Sequence, residues 1–349
     1  MRGQTAITSG EVKTRAAAAG FDLCGISPAA PFPELGFLSE WITRGYHAEM
    51  QYMARSADRR ADVRAVLPSA RAVIVLGTVY NADRPYSTAI GDSRTAAIAR
   101  YAWGDDYHDV IEDRMRRLVD AIAEVAGRFE YRAYVDTGPV QERVYAKYAG
   151  LGWIGKNTCL INRELGSWLF LSAIICDLPL EPDVPALDHC GRCTLCIDAC
   201  PTGAITAPYH LDSGRCLSYL TIENKGRIPD ALREAIGHHA YGCDICQDVC
   251  PWNRKAAVTD DAPWQPRTGL EAPPLLDLWT RSDTELRTLL KGSPLKRAGV
   301  RRLRRNLAVA IGNSGDASAA EVLEQSAEET AQDPLVREHV DWAAEKLRG

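Results

Sequence analysis

Long apolar runs are missing from this chain. The longest, AVIVLGTVY (72–80) and WLFLSAII (168–175), fall far short of the roughly 20 residues that span a bilayer, so no membrane helix is expected. The first residues, MRGQTAITSGEVKTR, lack both the apolar core of a signal peptide and a twin-arginine pattern, so a cytoplasmic protein is expected. An excess of positive charge is missing too. Lys and Arg number 41 against 46 Asp and Glu, a net charge of −5, so any nucleic acid must be met by a local basic patch. With 46% hydrophobic and 25% charged residues, the composition speaks against fibrous and disordered classes. The 349 residues suffice for two or three domains.

What the chain does have is cysteine, eleven in all. Without an export signal they do not read as a disulfide framework. Cys24, Cys159 and Cys176 stand apart in sequence and are expected to be small buried hydrophobes. The other eight lie between 190 and 250. Cys190, Cys193, Cys196 and Cys200, followed by Pro201, form a complete C-x2-C-x2-C-x3-C-P run. In that spacing three thiolates surround one 4Fe–4S cubane while the fourth turns to a second cluster. Cys243, Cys246 and Cys250, before Pro251, repeat it, with Cys216 supplying the missing first cysteine. The expected sets are therefore Cys190, Cys193, Cys196 and Cys250 for one cluster, and Cys200, Cys216, Cys243 and Cys246 for the other. Two four-thiolate zinc sites are the competing reading, but zinc sites favour paired C-x2-C knuckles over a run this tight.

The rest of the chain divides around this segment. Residues 1–180 read as an α/β domain, with strands over 72–80, 131–137 and 167–176 and an amphipathic helix over 109–127 closed by Gly127. A Pro-rich linker (177–185) leads into a ferredoxin-like domain, residues 181–255. Residues 256–349 are all-α after a Pro- and Asp-rich loop, with short helices in the manner of HEAT repeats. A ferredoxin alone needs only the middle third, so the α/β domain is expected to hold a cofactor, a substrate or both.

Gly150-Leu-Gly-Trp-Ile-Gly155-Lys156-Asn157 matches G-x-G-x-x-G literally. A nucleotide site would need a strand before it and a helix after it. Here a helical pattern precedes the glycines and none follows, so a close backbone approach to some bulky ligand is the preferred reading.

Four stretches complete the pattern: ARYAWGDDYHDV (99–110), VDTGPVQERVYAKYAGLGWIGKNT (135–158), CLSYLTIENKGRIPD (216–230) and YGCDICQDVCPWNR (241–254). Together with the cysteine segment and the helical tail, the chain resembles the epoxyqueuosine reductases from about Gly20 onward. The resemblance implies cobalamin in the N-terminal α/β domain beside one cluster. It also implies reduction of the epoxide of epoxyqueuosine, at the wobble position of tRNA, to queuosine with release of water. The proton donor it implies is the aspartate of the V-D-T-G-P segment, Asp136. As chemistry, the reaction takes two electrons and two protons, and a carboxyl of raised pKa could serve as its acid. Position alone leaves open that Asp136 caps the following helical segment.

Cobalamin has no independent motif here. Asp106-Tyr107-His108 begins an Asp-x-His-x-x-Gly pattern, but Ile111 stands where glycine should be, so no histidine is expected on the lower face of cobalt. Tyr101, Trp103, Tyr107 and His108 are candidates to wall the corrin, and Arg60, Lys156, Asn157, Ser167 and Ser218 to meet its edge. For the tRNA anticodon stem-loop, residues 291–305 carry seven basic residues in fifteen. Lys296, Arg297, Arg301, Arg302, Arg304 and Arg305 are the candidate contacts, with 297, 301, 304 and 305 on one helical face. An ordinary solvated helix face is the alternative. An external electron donor and a monomer are also expected. Two other readings compete: a reductive dehalogenase, which also pairs cobalamin with two clusters, and a non-catalytic Fe–S electron-transfer or RNA-binding protein.

Overall fold

The computed structural model describes residues 7–330 and 333–349, with side chains omitted at 326–330. Helix α1 (Ser9–Ala18) starts at a capping box of Thr8 and Glu11. Four strands follow, β1 (Leu23–Pro28), β2 (Ala72–Val79), β3 (Tyr131–Val135) and β4 (Leu169–Cys176), in the order β1-β2-β4-β3. Every pairing is antiparallel. β2 is buried along its whole length because both faces of the sheet are covered. Period-two alternation sends Ala72, Ile74 and Leu76 into one core and Val73 and Val75 into the other.

The first core is closed by α1 and by α2 (Tyr107–Ala126), whose Ile111, Met115, Leu118 and Ile122 form the buried stripe. Asp106 caps α2 by accepting from the His108 amide, and Gly127 ends it at φ 74°. The second core is closed by α3 (Glu142–Tyr148). β1 is a strand that sequence pattern does not announce, because it holds too few consecutive apolar residues to stand out beside β2.

The glycine run is a hairpin. Trp153–Ile154 pairs with Leu160–Ile161 and Gly155–Thr158 makes the turn. A Cβ on Gly152 would lie 2.2 Å from the Ile161 carbonyl oxygen, so the close backbone approach lies within the hairpin itself.

In the C-terminal third, α4 (Asp283–Leu290), α5 (Gly299–Gly312), α6 (Ala319–Thr330) and α7 (Pro334–Arg348) pack around α5. Gly312 lets α7 approach, since a Cβ there would meet Ala343 at 2.8 Å. Their core also takes in Ala96, Ile98, Ala102 and Trp103 from upstream, together with Ala240 and Tyr241. A short parallel pairing of Ala97–Ile98 with His239–Tyr241 brings these segments together. The helical region is therefore not sealed off from the two regions before it. No helix among the described residues is long and apolar enough to cross a membrane.

Candidate functional site

Two short helices, Leu195–Asp198 and Ile245–Asp248, carry Cys196 and Cys246 and pack on each other. Burial, then Cys250, Cys190 and Cys193, push the Cys196 thiol up to about 11. Burial and then Cys216 and Cys200 raise Cys243. Cys246 is raised by Cys159 and burial, with Cys243 and Cys216 adding to it. The neighbours acting on Cys196 are the other three of the first expected set, and those acting on Cys243 include Cys216 and Cys200 of the second. Among the described residues no three His, Cys, Asp or Glu side chains converge tightly enough for one metal ion. Two sets of four cysteine thiols are the donor chemistry that 4Fe–4S cubanes take, so the donor sets fit clusters. Cys193 is exposed and Cys250 buried.

The hairpin turn reaches both sets. Lys156 Nζ donates to the carbonyls of Gly191 and Cys193 at 2.7 and 2.8 Å. Asn157 donates to the Cys246 carbonyl at 3.2 Å and accepts from the Cys159 amide at 3.2 Å. Cys159 is thus no isolated hydrophobe, because its thiol faces that of Cys246. Ser167 Oγ accepts from Gln247 and Asn253 at 3.0 and 2.8 Å, and Ser218 meets the Cys216 thiol. Trp103 is in the helical core, 5% exposed, with Nε1 donated to Ile98 at 2.8 Å. Trp103, Lys156, Asn157, Ser167 and Ser218, the candidates to meet the corrin, each have a partner inside the protein. The glycine loop carries two polar side chains that bond backbone carbonyls of the cysteine segment.

Asp136 follows β3 with φ +57°, a left-handed conformation that is rare outside glycine and turns its carboxylate back toward α2. Tyr107 OH donates to Oδ2 at 2.8 Å. His108 Nε2 stands 3.7 Å away, an ion-pair separation rather than a hydrogen bond. The other ring nitrogen lies 2.8 Å from Asp106, which is 1% exposed and pairs with Lys296 at 2.5 Å. Tyr107 is fixed by stacking on Phe170, centroids 4.6 Å apart. Burial works to raise the Asp136 pKa, but the facing His108 and Tyr107 outweigh it and hold the carboxyl below its ordinary range. That corrects the expectation of a raised carboxyl. The raised groups are its neighbours. Burial opposes charge on His108, yet Asp106 and Asp136 lift it to about 9. Burial, then the Asp136 charge, lifts Glu142 to about 8. Glu142, which sequence reasoning missed, has a buried Oε1 with no partner.

The Asp136 side chain is 67% exposed although Tyr107, His108, Glu142 and Arg297 stand around it. An open floor ringed by polar groups, with an orphaned acceptor, fits a bound cofactor or substrate. Arg60, which donates to Val140, and Tyr101, whose ring stands edge-on to Tyr107, border it.

The basic stretch does not present one continuous stripe. Arg304 and Arg305 are 2% and 0% exposed. Arg304 donates to the Trp279 and Arg281 carbonyls, and Arg305 to those of Leu220, Asn224 and Gly226. Arg302 is bonded to the Ala298 and Ile222 carbonyls. These guanidinium groups satisfy backbone carbonyls that would otherwise be left without a donor, which corrects their expected exposure to RNA. Lys296, Arg297 and Arg301 are more than half exposed. Lys296 and Arg301 also line a cavity of about 540 Å³ with Arg287 and Lys291. This cavity is joined to the acid site through the Lys296–Asp106–His108 chain of ion pairs.

The cysteine arrangement and the fold are those of a double-cluster iron–sulfur protein with an added region of helices on an antiparallel sheet. Residues 189–253 match a 4Fe-4S double cluster binding domain. The chain belongs to the epoxyqueuosine reductase family. Residues 60–137, which hold Tyr107, His108 and Asp136, match the family described as epoxyqueuosine reductase QueG, DUF1730. The epoxyqueuosine reductase of Xanthomonas campestris is 42% identical over 95% of this chain and 94% of its own length. That of Pseudomonas aeruginosa is 45% identical over 93% and 90%. Among solved structures, an epoxyqueuosine reductase with an epoxyqueuosine-modified tRNA-Tyr stem loop is similar with TM-score 0.81 and 28% identity, over 97% of this chain and 98% of that one. A Bacillus subtilis epoxyqueuosine reductase, solved with its catalytic aspartate loop swung out of the active site, gives 0.85 and 30%, over 97% and 90%.

Proposed function

We propose that this protein reduces epoxyqueuosine to queuosine at the wobble position of tRNA, with the acid set around Asp136 supplying protons. The observation that carries the reading is the arrangement of Asp136. It is open to a ligand, bonded to Tyr107, faced by His108, and adjoined by the exposed cations of residues 296–301.

Opening the epoxide and removing its oxygen as water consumes two electrons and two protons. Cys190, Cys193, Cys196 and Cys250 hold one 4Fe–4S cluster, and Cys200, Cys216, Cys243 and Cys246 the other; when loaded, both carry single electrons from an external donor. Exposed Cys193 marks the first set as the side of entry. Cobalamin, when bound over the Asp136 floor, supplies a cobalt centre that holds electrons as Co(II) and Co(I). Arg60, Tyr101, Tyr107 and His108 would border it.

The chain's own part is proton handling and positioning. At neutral pH His108 and Glu142 each carry a proton, while the Asp136 carboxyl is held ionised. The two protons pass in turn through Asp136 to the departing oxygen, which leaves as water, and solvent restores them to His108 and Glu142. Asp106, itself clamped by Lys296, fixes the His108 ring. The stem-loop phosphates meet Lys296, Arg297 and Arg301, leaving the wobble base free to turn into the site. Three units serve this: the α/β domain (1–180), the ferredoxin-like domain (181–255), and a HEAT-like helical region (256–349) that adopts residues 96–103 into its core.

The test is Asp136→Asn, assayed on epoxyqueuosine tRNA with clusters and corrin loaded. Turnover is expected to fall on the order of 100-fold or more with iron and cobalt content unchanged. A variant of undiminished rate removes Asp136 from proton transfer.

A further inference from the structure

The eight cluster cysteines account for the ferredoxin-like segment, but two side chains of the hairpin turn press on it from outside. Lys156 sends its ammonium into the first cysteine turn, bonding the carbonyls on both sides of Arg192. Asn157 ties the second turn at Cys246 and, through the same amide, the backbone of Cys159. Arg143 on α3 donates to the Thr158 carbonyl at 2.5 Å, so the turn is held from the α/β domain as well. Its placement is fixed from both sides.

We infer that Lys156, on the Gly155–Cys159 turn, poises the reduction potential of the first cluster separately from that of the second. A cluster gains one negative charge on reduction. A fixed cation beside it, or a donor to a ligand sulfur, stabilises the reduced form and raises the potential. Lys156 is the cation on the Cys190–Cys196 side. Lys156 is a positioning residue, acting through the carbonyls of the cysteine turn, and the inference rests on the two-cluster reading above.

The experiment is an EPR-monitored redox titration of the full, anaerobically prepared protein, with iron counted for every sample. Lys156→Gln is expected to lower the first cluster's midpoint by up to about tenfold in the reduction equilibrium, about 59 mV for a one-electron couple, leaving the second unmoved. Lys156→Arg should restore it. If Lys156→Gln loses iron, Lys156→Arg carries the test: a first-cluster midpoint below the wild-type value in the iron-replete arginine variant overturns the inference. Unmoved midpoints in fully loaded variants overturn it too, as does an equal shift of both clusters. Wild-type protein without iron or cluster signals instead defeats the two-cluster reading on which the inference stands.

Discussion

At the scale of single residues, the acid site works by displacing pKa values in opposite directions within a few ångströms. Asp136 is held low by His108 and Tyr107, while the Asp106 and Asp136 charges lift His108 to about 9. The sign of the pH dependence follows. A histidine whose folded-state pKa exceeds its ordinary value of about 6.5 contributes stability that is complete below that value. The contribution is lost as pH rises through about 9. The same proton is the one proposed for turnover, so kcat should fall over the same window. His108→Gln should lower kcat and remove that alkaline limb, and a profile that keeps it would assign the limb to Glu142 or another group. A lone D-x-H fragment in the sequence pointed to these positions for a different use. The missing signal for Glu142 was burial, which no spacing displays.

At the scale of elements, α5 shows how one basic helix divides its labour. Its Arg304 and Arg305 are internal fasteners to carbonyls from other segments, while Arg301 and the preceding Lys296 and Arg297 face water. Two outcomes separate these roles. Arg305→Ala leaves the carbonyls of Leu220, Asn224 and Gly226 without a donor and should cost roughly 2–4 kcal/mol in denaturant unfolding. Replacing Lys296, Arg297 and Arg301 with Ala should instead weaken tRNA binding and flatten its salt dependence, by roughly 1 in log–log slope for each phosphate left without its cation. An unchanged slope in the triple variant would move the RNA surface off this segment. The amphipathic pattern of 291–305 displays the charges but has no means of showing that two of them are enclosed.

At the scale of the whole molecule, the regions are joined by shared cores and by the hairpin turn that touches both cysteine sets. Loading is the global test. Protein purified anaerobically with cobalamin should hold about eight irons and one cobalt per chain, as two cubanes and one corrin require. Iron without cobalt would leave an electron-transfer protein, and zinc in place of iron would overturn the cluster assignment. What the sequence by itself determined is local. Cysteine spacing sets how many thiolates can reach one cluster, and apolar periodicity marks α2, β2 and β4, because a neighbour three or four residues away is a neighbour in space in any fold. Tertiary structure alone decided which polar groups are spent inside. Trp103 joins a core built mainly from residues far downstream. Lys156 and Asn157 bind carbonyls about 35 and 89 positions away, and Cys159 meets Cys246. Burial and pairing between distant segments depend on how the whole chain closes, and that closure is what turned an exposed-looking arginine stripe into fasteners and an isolated cysteine into a cluster neighbour.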